Sequence, residues 1–153
     1  MRLRHLITIA AVVGMASPSW ADWQFTRWGM TPEQVEAASG GRAPMVPPQV
    51  SEAGTVFNIG PYSSGDHSFT AKYSYKSRRL SAITLEMNSS CGSLKDDLKT
   101  RYGNPLADDS LRSMGETSRW IDTKRNNAIL MLDFLGSCYL IYSEAKSSSR
   151  EGL

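Results

Sequence analysis

Residues 68 to 76 keep a two-residue rhythm, with Phe69, Ala71, Tyr73 and Tyr75 on one side and Ser68, Thr70, Lys72 and Ser74 on the other. That period is the mark of a strand with one buried face. The same reading predicts strands over Thr55 to Pro61 and over Leu80 to Asn88, where Ile83, Leu85 and Met87 share a side. Turn-forming residues, Ser63-Ser64-Gly65-Asp66 and Ser77-Arg78-Arg79, separate these segments, so they join as antiparallel hairpins. Three further strands are expected over Glu116 to Asp122, Asn127 to Phe134 and Cys138 to Ser143; Ala128, Leu130, Leu132 and Phe134 make the most apolar alternating side in the chain.

Two segments change to helical spacing. Thr31 can cap a helix, Pro32 suits its first position, and Gln34 stands where a capping box needs it. Met30 and Val35 flank the cap at the spacing of a hydrophobic staple, and Gly40-Gly41 supplies a stop. A second helix is expected from a cap at Ser93 through Leu94, Leu98 and Tyr102, which share one face, to Gly103 and Pro105. Residues 22 to 30 read as a short strand or an ordered arm. Residues 42 to 54, with Pro44, Pro47, Pro48 and Gly54, read as a loop, as does the polar stretch Leu106 to Gly115.

The pattern therefore predicts an α+β domain, an antiparallel sheet of about six strands with two helices packed on one face. Both halves run capped helix, glycine stop, polar loop, strands, and Ser93 follows Thr31 by 93 − 31 = 62 residues. Residue identity between the halves is slight, so a duplicated unit and two independent uses of a common packing solution both stay open.

The N-terminus changes the picture. Met1-Arg2-Leu3-Arg4-His5 is basic, Leu6 to Ala16 is apolar, and Ser17-Pro18-Ser19-Trp20-Ala21 ends in small residues. This is the layout of a cleaved export signal, 1–21. The apolar run falls short of the roughly 20 residues a spanning helix needs, and no Cys follows the expected cut to carry a lipid. A single domain over 22–143 and a polar, Ser-rich, frayed tail over 144–153 are expected to remain, without a membrane anchor, in the periplasm or the medium.

Of the 17 basic and 15 acidic side chains, Arg2 and Arg4 leave with the signal, so the remainder is formally neutral. Nucleic-acid partners call for a clustered basic surface; Lys72, Lys76, Arg78 and Arg79 are the one local group and read as a hairpin rim. Cys91 and Cys138 are the two cysteines. Export and the lack of any Cys-x-x-Cys favour a structural disulfide between them.

Catalytic signals are thin. Ser64, Asp66 and His67 stand almost together and could suggest a small hydrolase, yet neighbours in a turn point apart, and no Gly-x-Ser-x-Gly elbow is present. Asp96-Asp97 and Asp108-Asp109 read as solvated surface, and one His beyond the leader leaves zinc without ligands. No cofactor is expected. Asn88-Ser89-Ser90 has the form of a glycosylation acceptor, a tripeptide that recurs by chance. Trp28, Tyr73, Tyr75 and Trp120 are candidates for an interaction surface, with a core role as the alternative.

The string Gly29-Met30-Thr31-Pro32-Glu33-Gln34-Val35, ending at Gly40-Gly41, is similar to the opening of the SmpA/OmlA outer-membrane assembly lipoproteins and resembles many exported bacterial proteins that begin Trp-Gly-Met-Ser/Thr. The repeated helix-plus-sheet order resembles the secreted beta-lactamase inhibitor protein, built from two such units. Tyr102-Gly103-Asn104-Pro105 extends the likeness to the second helix exit. The lipoproteins carry a lipidated Cys where this chain has Asp22, and usually hold one unit. The resemblance implies an envelope or extracytoplasmic binding module with an envelope protein or ligand as partner, the alternative being a secreted enzyme inhibitor; it transfers no contact residue.

Overall fold

The computed structural model describes residues 23–145. The expected export signal and the end of the polar tail lie outside them. Thr31 opens α1 (Pro32–Ala38) with both halves of its capping box made: the Thr31 hydroxyl accepts from the Gln34 backbone, and the Gln34 side chain accepts from the Thr31 N–H at 2.9 Å. Pro32 occupies the first turn, where its missing N–H costs nothing. Gly40 and Gly41 follow at φ +63° and +79°, left-handed geometry that ends a helix at little cost to glycine. Ahead of the helix the chain is an ordered arm without regular strand structure. Its Trp23 is buried against Tyr62, with ring centres 4.9 Å apart, and its Gly29 and Met30 exchange backbone bonds with Leu80.

Eight strands follow rather than about six. They are β1 (Met45–Ser51), β2 (Gly54–Ser64), β3 (His67–Lys76), β4 (Arg79–Met87), β5 (Ala107–Ser110), β6 (Gly115–Asp122), β7 (Asn127–Phe134) and β8 (Ser137–Glu144); α2 (Leu94–Tyr102) precedes β5. All pairings are antiparallel and the sheet order is β1-β2-β3-β4-β8-β7-β6-β5. The two added strands correct the two expected loops. Residues 45–51 pair with β2 despite Pro47 and Pro48, because an outermost strand needs ladder donors on one side only. Residues 107–110 pair with β6 through backbone groups that polar side chains do not compromise, and a 3-10 turn at Arg112–Met114 completes that segment. Strand β8 runs to Glu144, the first residue of the expected tail.

The element order is thus helix and four strands, twice, and the sheet order is symmetric about the β4–β8 seam. Gly54 opens β2 at φ +133° and Gly115 opens β6 at φ +144°. Any Cβ there would run into the backbone of the third strand of the same half, at Tyr75 and Asp133 respectively.

Both helices lie on one face, since Val35, Leu94 and Leu98 join a single buried cluster with Tyr73, Ile83, Leu85, Trp120, Met131 and Leu140. Side chains alternate across a strand, so β7 divides sharply: Ile129 and Met131 are buried in that core, while Ala128, Leu130, Leu132 and Phe134 are half-buried on the opposite face. Helix α2 buries Leu94 and Leu98 as its spacing predicts, but Ser93 has helical backbone angles and its side chain makes no capping bond, correcting that expectation. Cys91 and Cys138 are joined, tying the approach to α2 to the start of β8 across a sequence separation of 47. The Cys91 N–H also donates to Asp133 Oδ2 at 3.0 Å.

Candidate functional site

Register places the outward side chains in rows across the sheet. One row runs Arg119, Leu130, Ile141, Thr84, Lys72, Ile59, from β6 through β7, β8, β4 and β3 to β2. The next runs Thr117, Leu132, Tyr139, Glu86, Thr70, Pro61. The chemistry changes at the β4–β8 seam. Over β3 and β4 the rows present Thr84, Thr70 and an ion pair between Lys72 and Glu86. Over β7 and β8 they present Leu130, Ile141, Leu132 and Tyr139, all half-buried. Ile121 and Leu106 border the patch at 50% and 71% exposure. Leu106, Ile121, Ala128, Leu130 and Ile141 line a shallow groove of about 310 Å³ there, with Arg119 at its margin. No helix among the described residues covers this face.

Contiguous apolar surface that stays accessible is uncommon on a folded protein. It has no titratable cluster; among the described residues no group of three His, Cys, Asp or Glu side chains could hold a metal ion. Nor is any helix among them long and apolar enough to cross a membrane.

The aromatics expected at an interaction surface lie elsewhere. Tyr73, Tyr75 and Trp120 are only 2–3% exposed and belong to the core. The Trp120 indole donates to Gly103 O at 2.9 Å, fastening the end of α2, and the Tyr75 hydroxyl donates to Asn58 Oδ1. Burial pushes the phenols of Tyr73 and Tyr75 above the ordinary tyrosine range, so both remain neutral. Trp28 is half-buried, and its indole points to Asn127 Oδ1 at 3.2 Å. Sequence reasoning missed the face that is exposed because Leu130 and Ile141 look like core residues until the opposite face of the same strands is seen to be filled.

Ser64, Asp66 and His67 do not converge as a trio. Ser64 and His67 are cross-strand partners flanking the Gly65-Asp66 turn, and Asp66 is exposed. His67 turns instead to α2, its Nε2 standing 2.8 Å from Asp97 Oδ2. No hydrogen bond joins His67 to Ser64. The Asp108 carboxylate accepts from Lys95 and from Ser118, which hold its pKa below the ordinary value; it braces α2 against β5 and β6 and is no lone acidic pair with Asp109.

No protein-family model matches this chain, and no curated protein or solved structure matches it.

Proposed function

We propose that this chain is an exported, non-enzymatic binding module of the cell envelope that engages a protein partner through the outer face of β6, β7 and β8. The observation that carries the reading is the sheet's asymmetry: one face buried under two helices, the other offering Leu130, Leu132, Tyr139 and Ile141 beside a polar half. Aliphatic side chains around a tyrosine, held on rigid strands, suit a protein contact that excludes water. The Cys91–Cys138 bridge is in keeping with an oxidising compartment. An enzyme inhibitor is the form this reading takes if the partner is itself an enzyme.

We also read the halves as copies of one ancestral unit. The twofold helix-and-four-strand order, the symmetric sheet and the matched Gly54 and Gly115 support it.

A photo-reactive residue at Leu132, compared with one at Lys72 on the polar half of the same face, tests the binding reading in cells. A discrete adduct from position 132 and none from 72 is the expected result. Equal labelling from both, or none from either, would overturn it.

A further inference from the structure

On the opposite side of the sheet, the tip of the β2–β3 hairpin and α2 enclose a cleft of about 470 Å³. That volume falls in the range of small-molecule sites. Its floor is apolar, made by Phe69, Leu85, Leu98 and Leu140. Its mouth is polar and unevenly charged. The His67–Asp97 contact spans it from hairpin to helix, with His67 14% and Asp97 65% exposed. Asp97 is thereby engaged. Arg101, one helical turn further along α2, also lines the mouth, is exposed, and has no carboxylate within ion-pair distance among the described residues. Tyr142 also lines the cleft, and burial pushes its hydroxyl far above the ordinary tyrosine value, so it brings no negative charge there.

We propose that this cleft binds a small amphipathic carboxylate, its aryl or acyl body against Phe69, Leu98 and Leu140 and its carboxylate on Arg101. The ligand class follows from the lining. An apolar floor without a charged group requires an apolar body, and a guanidinium with no internal counter-ion at the rim is matched to a planar anion through paired N–H donors. The site is separate from the outer face, because Leu85 and Leu140 point to the core while their neighbours Thr84 and Ile141 point outward.

Amide NMR titration of the isotopically labelled protein tests this, with phenylbutanoate and the neutral phenylbutanol as probes. Saturable shifts confined to residues 62–69, 94–101 and 140–142 are expected, with the acid bound more tightly than the alcohol. Arg101→Gln should weaken the acid about fivefold, as loss of one charge-assisted contact implies, and leave the alcohol unchanged. Thr100→Trp, at an exposed helical position on the rim, should weaken both; unchanged core amides such as Ile83 and Met131 confirm that it folds. Shifts only over 119–130, no saturable shifts, or an acid affinity indifferent to Arg101→Gln would each overturn the proposal. None of these results bears on crosslinking from position 132.

Discussion

Leu135 sits at φ +50° in the β7–β8 turn, 71% exposed. A left-handed conformation costs an ordinary L-residue roughly 1–2 kcal/mol, a cost that asparagine largely escapes. Leu135→Asn should therefore stabilise the protein by about 1 kcal/mol, read as a higher urea midpoint at unchanged slope. Buried polar chemistry acts in the other direction. Asn58 is fully buried and its amide donates to Pro32 O and Ala43 O, while Tyr75 donates to its Oδ1. This one side chain fastens α1 and the segment behind it to β2. Tyr75→Phe strips the oxygen of its donor and should cost about 1–2 kcal/mol, measured by the same unfolding curves. The Thr31 cap was legible in the sequence because its partner, Gln34, is three residues away. The Asn58 network was not, because its partners lie 15 to 26 residues distant and a polar residue in a strand looks solvent-facing.

The elements that the hydrophobic pattern identified are those in which one face is buried. β3 and β4 reveal themselves through a period of two, and α2 through Leu94 and Leu98. β1 and β5 escaped detection because they bury almost nothing, and backbone pairing leaves no trace in side-chain periodicity. Their composition suits the sheet's two outer margins, since Pro47 and Pro48 on β1 and Asp108 and Asp109 on β5 discourage a further strand from adding there. Contacts between elements produce two predictions. Removing the Cys91–Cys138 bridge with Cys91→Ala and Cys138→Ala releases a closed loop, at a cost of about 4 kcal/mol in the chain-entropy account. Urea unfolding of the pair variant checks the cost, and mass spectrometry of the native protein should find no free thiol. Lys95 reaches Asp108 and Glu116, each at 2.9 Å. Partial burial alone would lower its pKa, but the two carboxylates outweigh that and hold it above the ordinary lysine value, while Ser118 and Lys95 depress Asp108. The Lys95 contribution is fully present below the unfolded lysine pKa and is lost as pH rises through the raised folded value. The Asp108 contribution is present above its unfolded value, about 4, and is lost as pH falls through the lower folded one. The stability gap between the native protein and Lys95→Met should accordingly be level from about pH 5 to pH 9 and narrow on either side, as followed by unfolding across that range.

At the scale of the whole molecule, the sheet's two faces are treated unequally, one buried as core and the other left half-buried, and neighbouring residues of one strand can expose the division. Met131 is fully buried and Leu130 half-buried on the outward face, although both are large, apolar and adjacent. Sequence periodicity cannot tell them apart, since β7 is apolar on both sides and the placement of α2 decides which side becomes core. An aspartate at Met131 forces a carboxylate into an apolar cluster without a partner, so Met131→Asp should cost more than about 4 kcal/mol and leave little folded protein. Leu130→Asp keeps its carboxylate in water beside Arg119, its cross-strand neighbour, and should change stability by about 1 kcal/mol or less. If the outer face is the binding surface, Leu130→Asp must abolish the adduct formed from position 132 while circular dichroism and the thermal midpoint remain close to native. A Leu130→Asp protein that unfolds with Met131→Asp would mean that another part of the molecule covers this face, and one that folds and still crosslinks would place the partner elsewhere.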